Sequence, residues 1–163
     1  MLTKEGDVLL VPLAELRTCV CQVVRVMGSS FLLATFPTYL DSSTVPDLDE
    51  IELTNPVFLI ETMNESVESE RWRVIGNRIP SSNLPIPAFK VQVGLGGDYY
   101  IQNFRGEVGR KATSEEAQRL RPHKSFSPGL VEAALRAEQK FDVWLSAYDE
   151  MRADKGQVID NVF

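Results

Sequence analysis

Cysteine and histidine, the residue types that most often serve as thiol nucleophiles, general bases or zinc ligands, are rare in this chain. The only cysteines are Cys19 and Cys21, and His123 is the only histidine. On a strand both thiols would point to one face with a spacing that is too wide for a disulfide, so we interpret them as small buried apolar side chains. His123 follows Pro122 in a basic, turn-like context, which favours a structural or solvated loop histidine. A site with several histidine ligands is excluded, and no further ligands accompany the cysteines.

The other motifs do not indicate catalysis either. Gly94-Leu-Gly-Gly97 lacks the Gly-Lys-Ser/Thr ending of a phosphate loop and joins two predicted strands, so we interpret it as a hairpin turn. Glu61 and Asp7 could pair with other acids, but no spacing selects a pair. Ser125 and Ser127 have no activating neighbour in the sequence. The residues alone therefore indicate no catalytic site, cofactor or metal, and an enzyme with an unrecognised carboxylate site is left as a third alternative.

Charge is strongly segregated along the chain, although the net charge is only −6. Residues 41–70 contain nine Asp or Glu and no Lys or Arg, whereas residues 71–124 contain ten Lys or Arg and four acids. The acidic stretch is either a set of solvated loops that fold against the basic segment or a surface that attracts a basic partner. The basic residues are scattered and form no aromatic-basic motif, which argues against nucleic-acid binding.

The apolar pattern predicts a mainly β (α+β) fold. The 163 residues, 44% of them apolar, suit a single domain over 1–163 with a β-rich body over 1–110. We expect a bent antiparallel sheet or a partly open barrel of six or seven strands, at 7–13, 18–26, 31–36, 57–61, 72–76, 89–93 and 98–104. The sequence shows no signal-peptide features and no apolar run long enough for a membrane helix, so we expect a cytoplasmic protein without membrane contact.

The C-terminal third changes to a helical period. The capping box Thr113-Ser-Glu-Glu116 predicts a short helix over 113–121. Ser127-Pro128 is typical of a helix start and opens a predicted amphipathic helix over 128–153. Steps of three and four residues define its apolar stripe, which comprises Leu130, Ala134, Ala137, Phe141, Trp144, Tyr148 and Met151. This stripe is most simply a core face, and the alternative is a helix that binds a partner or a second copy of the chain.

Two segments resemble the immunity protein 26 family. Gly6-Asp-Val-Leu-Leu-Val-Pro-Leu13 followed by Cys21-Gln-Val-Val24 is similar to the family's opening. Arg71-Trp-Arg-Val-Ile-Gly-Asn77 followed by Pro85 to Phe89 resembles its Trp-x-x-Ile-Gly and Pro-x-Phe segment. The similarity covers roughly 4–90, in matching order. It departs near Cys19 to Cys21, where an aromatic-Gly pair is expected, and the predicted helix after residue 127 has no counterpart in the pattern.

The resemblance implies a bacterial immunity protein that binds and occludes a cognate polymorphic toxin in the cytoplasm, without catalysis. It implies structural roles for the matched residues Gly6, Asp7, Pro12, Trp72 and Gly76. Contacts with a basic, nuclease-like toxin are then expected in the acidic stretch, with Tyr39 and Leu48 as apolar contacts beside Asp41, Asp47, Asp49, Glu50, Glu52, Glu65, Glu68 and Glu70. The alternative function is an interaction module that self-associates through its C-terminal helix.

Overall fold

The computed structural model describes residues 2–160 and Val162. The chain divides into two compact units, each described by itself below. The first comprises Met1–Leu84 and Ser125–Arg152, and the second comprises Pro85–Lys124 and Ala153–Phe163.

Nine strands and three α-helices occur within the described residues. The strands are β1 (Asp7–Pro12), β2 (Arg17–Met27), β3 (Ser30–Asp41), β4 (Phe58–Met63), β5 (Arg73–Asn77), β6 (Phe89–Gln92), β7 (Tyr99–Gln102), β8 (Val108–Lys111) and β9 (Ser125–Phe126). The helices are α1 (Glu65–Glu68), α2 (Ser114–Arg119) and α3 (Pro128–Glu138). The strands dominate, which confirms the predicted mainly β fold.

The sheet of the first unit has the strand order β5-β1-β2-β3-β4-β9. Strands β1 to β4 form an antiparallel meander, in which Gly28, with φ of 59°, occupies the turn between β2 and β3. Strand β5 returns to pair with β1, and β9 pairs with β4 in parallel. The β2–β3 register shifts twice, and such bulges bend a sheet. The sheet is therefore mixed and open rather than closed into a barrel.

One face of this sheet carries a large apolar cluster of the first unit, and strand residues on the other face, such as Val20 and Leu32, are buried as well. Alternate residues of β1, β2, β3 and β4 point to the face with the apolar cluster, because side chains on a strand alternate between faces. Cys19 and Cys21 are among them as buried free thiols, and burial raises the pKa of Cys21 well above its ordinary value. This placement agrees with their interpretation as apolar core residues. The core also contains Leu9, Val11, Val23, Phe31, Leu33, Phe58, Ile60 and Trp72.

Helix α3 begins as the sequence predicts but ends earlier. The Ser127 side chain accepts a hydrogen bond from the N–H of Leu130, with Pro128 at the first helical position. The predicted helix over 128–153 is wrong in length, because α3 ends at Glu138. Lys140 has φ of 62° and donates to Ala137 O, and the next N–H donates to Arg136 O. This pair of bonds closes the helix in a left-handed cap.

The apolar stripe survives the end of the helix. Trp144, Tyr148 and Met151 still pack on the core of the first unit, from a loop and from a 3₁₀ turn over Ser146–Met151. Only the Phe141 position of the stripe is exposed. The stripe is therefore mainly a core face, although a single helix does not carry it.

The second unit contains the sheet β6-β7-β8 and helix α2. Thr113 and Glu116 form the predicted capping box, and Arg110 also binds Glu116, which lowers the pKa of Glu116 to about 2. Its core contains Ala88, Ile101, Ala112 and Leu120. The His123 ring stacks on Phe89 with 4.4 Å between the ring centroids. No described helix in either unit is long and apolar enough to span a membrane.

Candidate functional site: an acidic edge of the first sheet

The eight carboxylates predicted to contact a partner are all exposed, and all except Asp41 occur in two segments of the first unit. The first segment is the acidic loop, residues 42–57, which follows Asp41 at the end of β3. The second is α1 with the residues that follow it. The loop carries Asp47, Asp49, Glu50 and Glu52, and the α1 segment carries Glu65, Glu68 and Glu70.

The acidic loop is attached to strand β5. The Arg78 guanidinium donates hydrogen bonds to the backbone oxygens of Leu48 and Ile51, the latter at 2.8 Å. Leu48 packs directly on Gly76, where an added Cβ would lie 2.2 Å from the Leu48 Cδ1. The Asp47 carboxylate accepts a hydrogen bond from the Asp49 N–H at 3.0 Å and starts a 3₁₀ turn. The loop therefore crosses from the end of β3 to β5.

The α1 segment is attached to the other end of β5. The N–H of Trp72, just before β5, donates to Ser66 O at 2.8 Å, and Val67 packs in the core. Strand β5 is at the edge of the sheet and has five residues, or roughly 16 Å of chain. The two acidic segments therefore flank one short edge strand. We call Asp41 and the seven carboxylates of these segments the acidic edge.

The arginines near β5 neutralise the acidic edge only in part. Arg71 binds Glu132, which raises the pKa of Arg71 through the hydrogen bond, and Arg78 is directed at backbone oxygens. Arg73 is exposed on β5 itself. It lines a cleft of about 240 Å³ together with Glu68 and Glu70. The edge thus presents mainly negative charge, and it also holds two exposed arginines, Arg73 and the Glu132-paired Arg71.

A buried carboxylate fixes the start of β5. The Trp72 side chain is fully buried, and its indole Nε1 donates to Glu132 Oε1 at 2.8 Å. Arg71 Nε donates to the same oxygen at 2.8 Å. Glu132 is on α3 and is 2% exposed. The sequence analysis missed Glu132; the only available signal was that a buried indole N–H needs an acceptor.

The two predicted apolar contact residues both have contacts within their own chain. Tyr39 is half-buried and packs against the core of the first unit. Burial raises the pKa of Tyr39, and the nearby Cys19 and Glu138 raise it further. Leu48 is half-buried on Gly76. Tyr39 and Leu48 are therefore both engaged by their own chain, and the two acidic segments lie at the two ends of β5.

The remaining motif residues, Gly6, Asp7 and Pro12, have structural roles at the start and the end of β1. Gly6 has φ of 89°, and a Cβ there would lie 2.5 Å from Arg78 O. The Asp7 side chain is buried and accepts hydrogen bonds from Lys4 N and Asn77 Nδ2, at 2.8 and 3.0 Å. Pro12 ends β1. Among the described residues, no three His, Cys, Asp or Glu side chains are arranged to hold a metal ion.

Comparison with known families identifies one family whose sequence pattern the chain matches. The profile of the family described as Immunity protein 26 matches residues 4–101, which is more than half of the chain. The chain therefore belongs to the immunity protein 26 family. The match contains β1 to β5 and both acidic segments, whereas α3 lies outside it. Searches of curated proteins and of solved structures found no match.

Proposed function

We propose that this protein neutralises a cognate polymorphic toxin by binding it stoichiometrically and covering its functional site. Membership of the immunity protein 26 family is the observation that carries this proposal. We further propose that the acidic edge contributes to the toxin-binding surface. All eight carboxylates are exposed, and seven of them are in the two segments that flank one edge strand, which supports this assignment. The protein acts in the cytoplasm and does no chemistry on the toxin.

Charge makes a basic toxin the best fit. The first unit contains 17 acidic residues (Asp and Glu) and nine basic residues (Lys and Arg). The second unit contains six acidic and eight basic residues. A concentrated negative surface raises the rate at which a basic partner arrives, and it disfavours partners of like charge. Nuclease toxins carry basic surfaces because they bind phosphates. A nuclease-like toxin is therefore the proposed partner.

The alternative function, self-association through the C-terminal helix, has less support. The apolar face of α3 contacts the core of its own unit through Val131, Ala134 and Leu135, all fully buried. A helix face that is already buried in the monomer cannot also form a dimer interface without unfolding.

Co-expression with the product of the neighbouring gene tests the proposal. We expect a one-to-one complex by size-exclusion chromatography with light scattering, and restored growth of cells that express that product. A catalytically inactive variant of the gene product separates binding from toxicity. Absence of both a complex and rescue would contradict the proposed function.

A further inference from the structure

Strand β5 has one unpaired edge. It is the end strand of the first sheet and pairs with β1 alone among the described strands. None of its five residues is buried, whereas the first five residues of β1 all are. The opposite end of the sheet is formed by β9, which has only two residues. An unpaired strand edge presents N–H and C=O groups that can pair with another chain.

The hydrogen-bond register shows which backbone groups of β5 point outward. In an antiparallel sheet a residue directs its N–H and C=O to the same side, and successive residues alternate between the two sides. The N–H of Leu13, just after β1, donates to Arg17 O at the start of β2, and the β1–β2 register is regular. Leu9 therefore also faces β2. Val74 is opposite Leu9, so its N–H and C=O point away from β1.

A cleft opens at this edge. It has a volume of about 240 Å³, and residues of both the α1 segment and β5 line it: Val67, Glu68, Glu70, Arg73 and Val74. Successive residues of a strand point to opposite faces of a sheet. A cleft that both Arg73 and Val74 line therefore lies at the edge of the strand. It provides space beside the outward backbone groups of Val74.

The two acidic segments approach this edge from opposite faces of the sheet. Val67 of the α1 segment packs in the same apolar cluster as Leu9 of β1. Leu48 of the acidic loop packs on Gly76. Gly76 pairs with Val8, which neighbours Leu9 in β1 and therefore points to the other face. The unpaired edge of β5 is thus the feature that both acidic segments border.

We infer that the toxin contributes an extended, basic segment that pairs with β5 as an additional strand. Main-chain hydrogen bonds hold such a segment, and its side chains point alternately to the two faces, where the α1 segment and the acidic loop lie. These segments carry seven carboxylates, against Arg73 and the Glu132-paired Arg71. Lysine and arginine side chains on the incoming strand therefore complement the site. This inference rests on the proposed function.

The variant Val74→Pro tests the inference. Proline has no N–H to donate, and it is tolerated in an edge strand where that N–H would face solvent. The probe is the purified product of the neighbouring gene, in an inactive form, titrated calorimetrically into the full chain. We expect Kd to rise about tenfold or more, because an acceptor on the incoming strand loses its donor.

Val108→Pro, on edge strand β8 of the second unit, is the matched control. Asn103 N–H donates to Glu107 O at 3.0 Å. Gln102 and Val108 form the next pair in this register, so Val108 also directs its N–H away from the neighbouring strand. This variant should leave Kd unchanged. Thermal unfolding of both variants shows whether either substitution disturbs the fold.

Hydrogen exchange of the wild-type chain gives a second measurement that needs no substitution. The Val74 amide should exchange at least about tenfold more slowly in the complex than in the free chain, because it then donates to the incoming strand. The Val108 amide should exchange equally fast in both. NMR resolves the two amides, and this measurement decides the question if Val74→Pro fails to fold.

The possible outcomes are distinct. If the wild-type chain does not bind the probe, the proposed function fails and the inference fails with it. If the wild-type chain binds, but Val74→Pro binds equally well or the Val74 amide exchanges equally fast in the complex, the inference alone is overturned. If sedimentation shows a wild-type dimer that Val74→Pro abolishes, β5 pairs with a second copy, and the assigned occupant is wrong.

Discussion

At the residue scale, the buried carboxylate of Glu132 joins the family motif to the C-terminal helix. It accepts hydrogen bonds from the Trp72 indole and from Arg71, although these residues are about 60 positions away in sequence. A buried carboxylate without such partners would be strongly destabilising. Trp72 therefore contributes both apolar burial and a hydrogen bond, and it also fixes the point where α1 meets β5.

The Trp72→Ala variant should lower the free energy of unfolding by ~3–5 kcal/mol, because it leaves a large cavity. Removal of the indole also leaves the Glu132 carboxylate with one hydrogen-bond donor fewer. The expected destabilisation is therefore towards the upper end of this range. Urea denaturation followed by circular dichroism measures it.

The exposed neighbour Arg73 provides the control for this variant. We expect Arg73→Ala to change the free energy of unfolding by about 0.5 kcal/mol or less. Equal effects of the two substitutions would show that Trp72 does not have the described environment.

At the element scale, the contact between Leu48 and Gly76 determines where the acidic loop lies. The loop has only one short 3₁₀ turn, so its position depends on contacts with β5. Gly76 is needed because any Cβ would occupy the space of the leucine side chain. Glycine within a strand often marks a site where another part of the chain approaches the backbone closely.

Gly76→Ala should therefore displace Leu48 and lower the free energy of unfolding by about 1 kcal/mol. In a Leu48→Ala background the same substitution should be nearly neutral, because the obstructing side chain is gone. The double-mutant cycle should give a coupling energy of about 0.5 kcal/mol or more.

Gly129→Ala is the matched control, since an added Cβ at Gly129 in α3 meets no atom within 4 Å. It should raise the free energy of unfolding by about 0.4–1 kcal/mol. Additive effects of the Gly76 and Leu48 substitutions would contradict the described contact.

At the scale of the whole molecule, the two units differ in charge, and the acidic edge is in the negative one. Long-range attraction acts mainly on the rate of association, and dissolved salt screens it. Binding of a basic toxin through this edge should therefore show a strong dependence on ionic strength.

Glu65→Lys tests this dependence, because Glu65 is an exposed residue in the first turn of α1. We expect its association rate constant to fall several-fold below that of the wild-type chain at an ionic strength of about 10 mM. The difference should disappear at about 1 M, where the Debye length is roughly 3 Å. Surface plasmon resonance with the proposed partner, the product of the neighbouring gene, measures both conditions.

Glu115→Lys changes the net charge equally, at an exposed residue in the first turn of α2 in the second unit. Its association rate should stay close to that of the wild-type chain. Equal slowing by the two substitutions would mean that net charge matters and that the acidic edge has no special role.

Much of the local structure could be predicted from the sequence, because its causes are local. Strand positions follow from alternation of apolar side chains, and the starts of α2 and α3 follow from side-chain caps at Thr113 and Ser127. The end of α3 could not be predicted in this way. The helix ends at Lys140 in a left-handed conformation, which glycine or asparagine usually adopts. Because neither residue marks this position, the apolar stripe that continues beyond it predicted a longer helix.

The candidate site was predictable in composition but not in arrangement. The amino-acid sequence by itself determined that the chain is acidic in one stretch, poor in cysteine and histidine, and built mainly of strands. Only the tertiary structure decided that β5 pairs with β1, that both acidic segments meet β5, and that Trp72 finds Glu132. The reason is physical: caps and alternation act over a few residues, whereas contacts between distant residues depend on how the whole core packs.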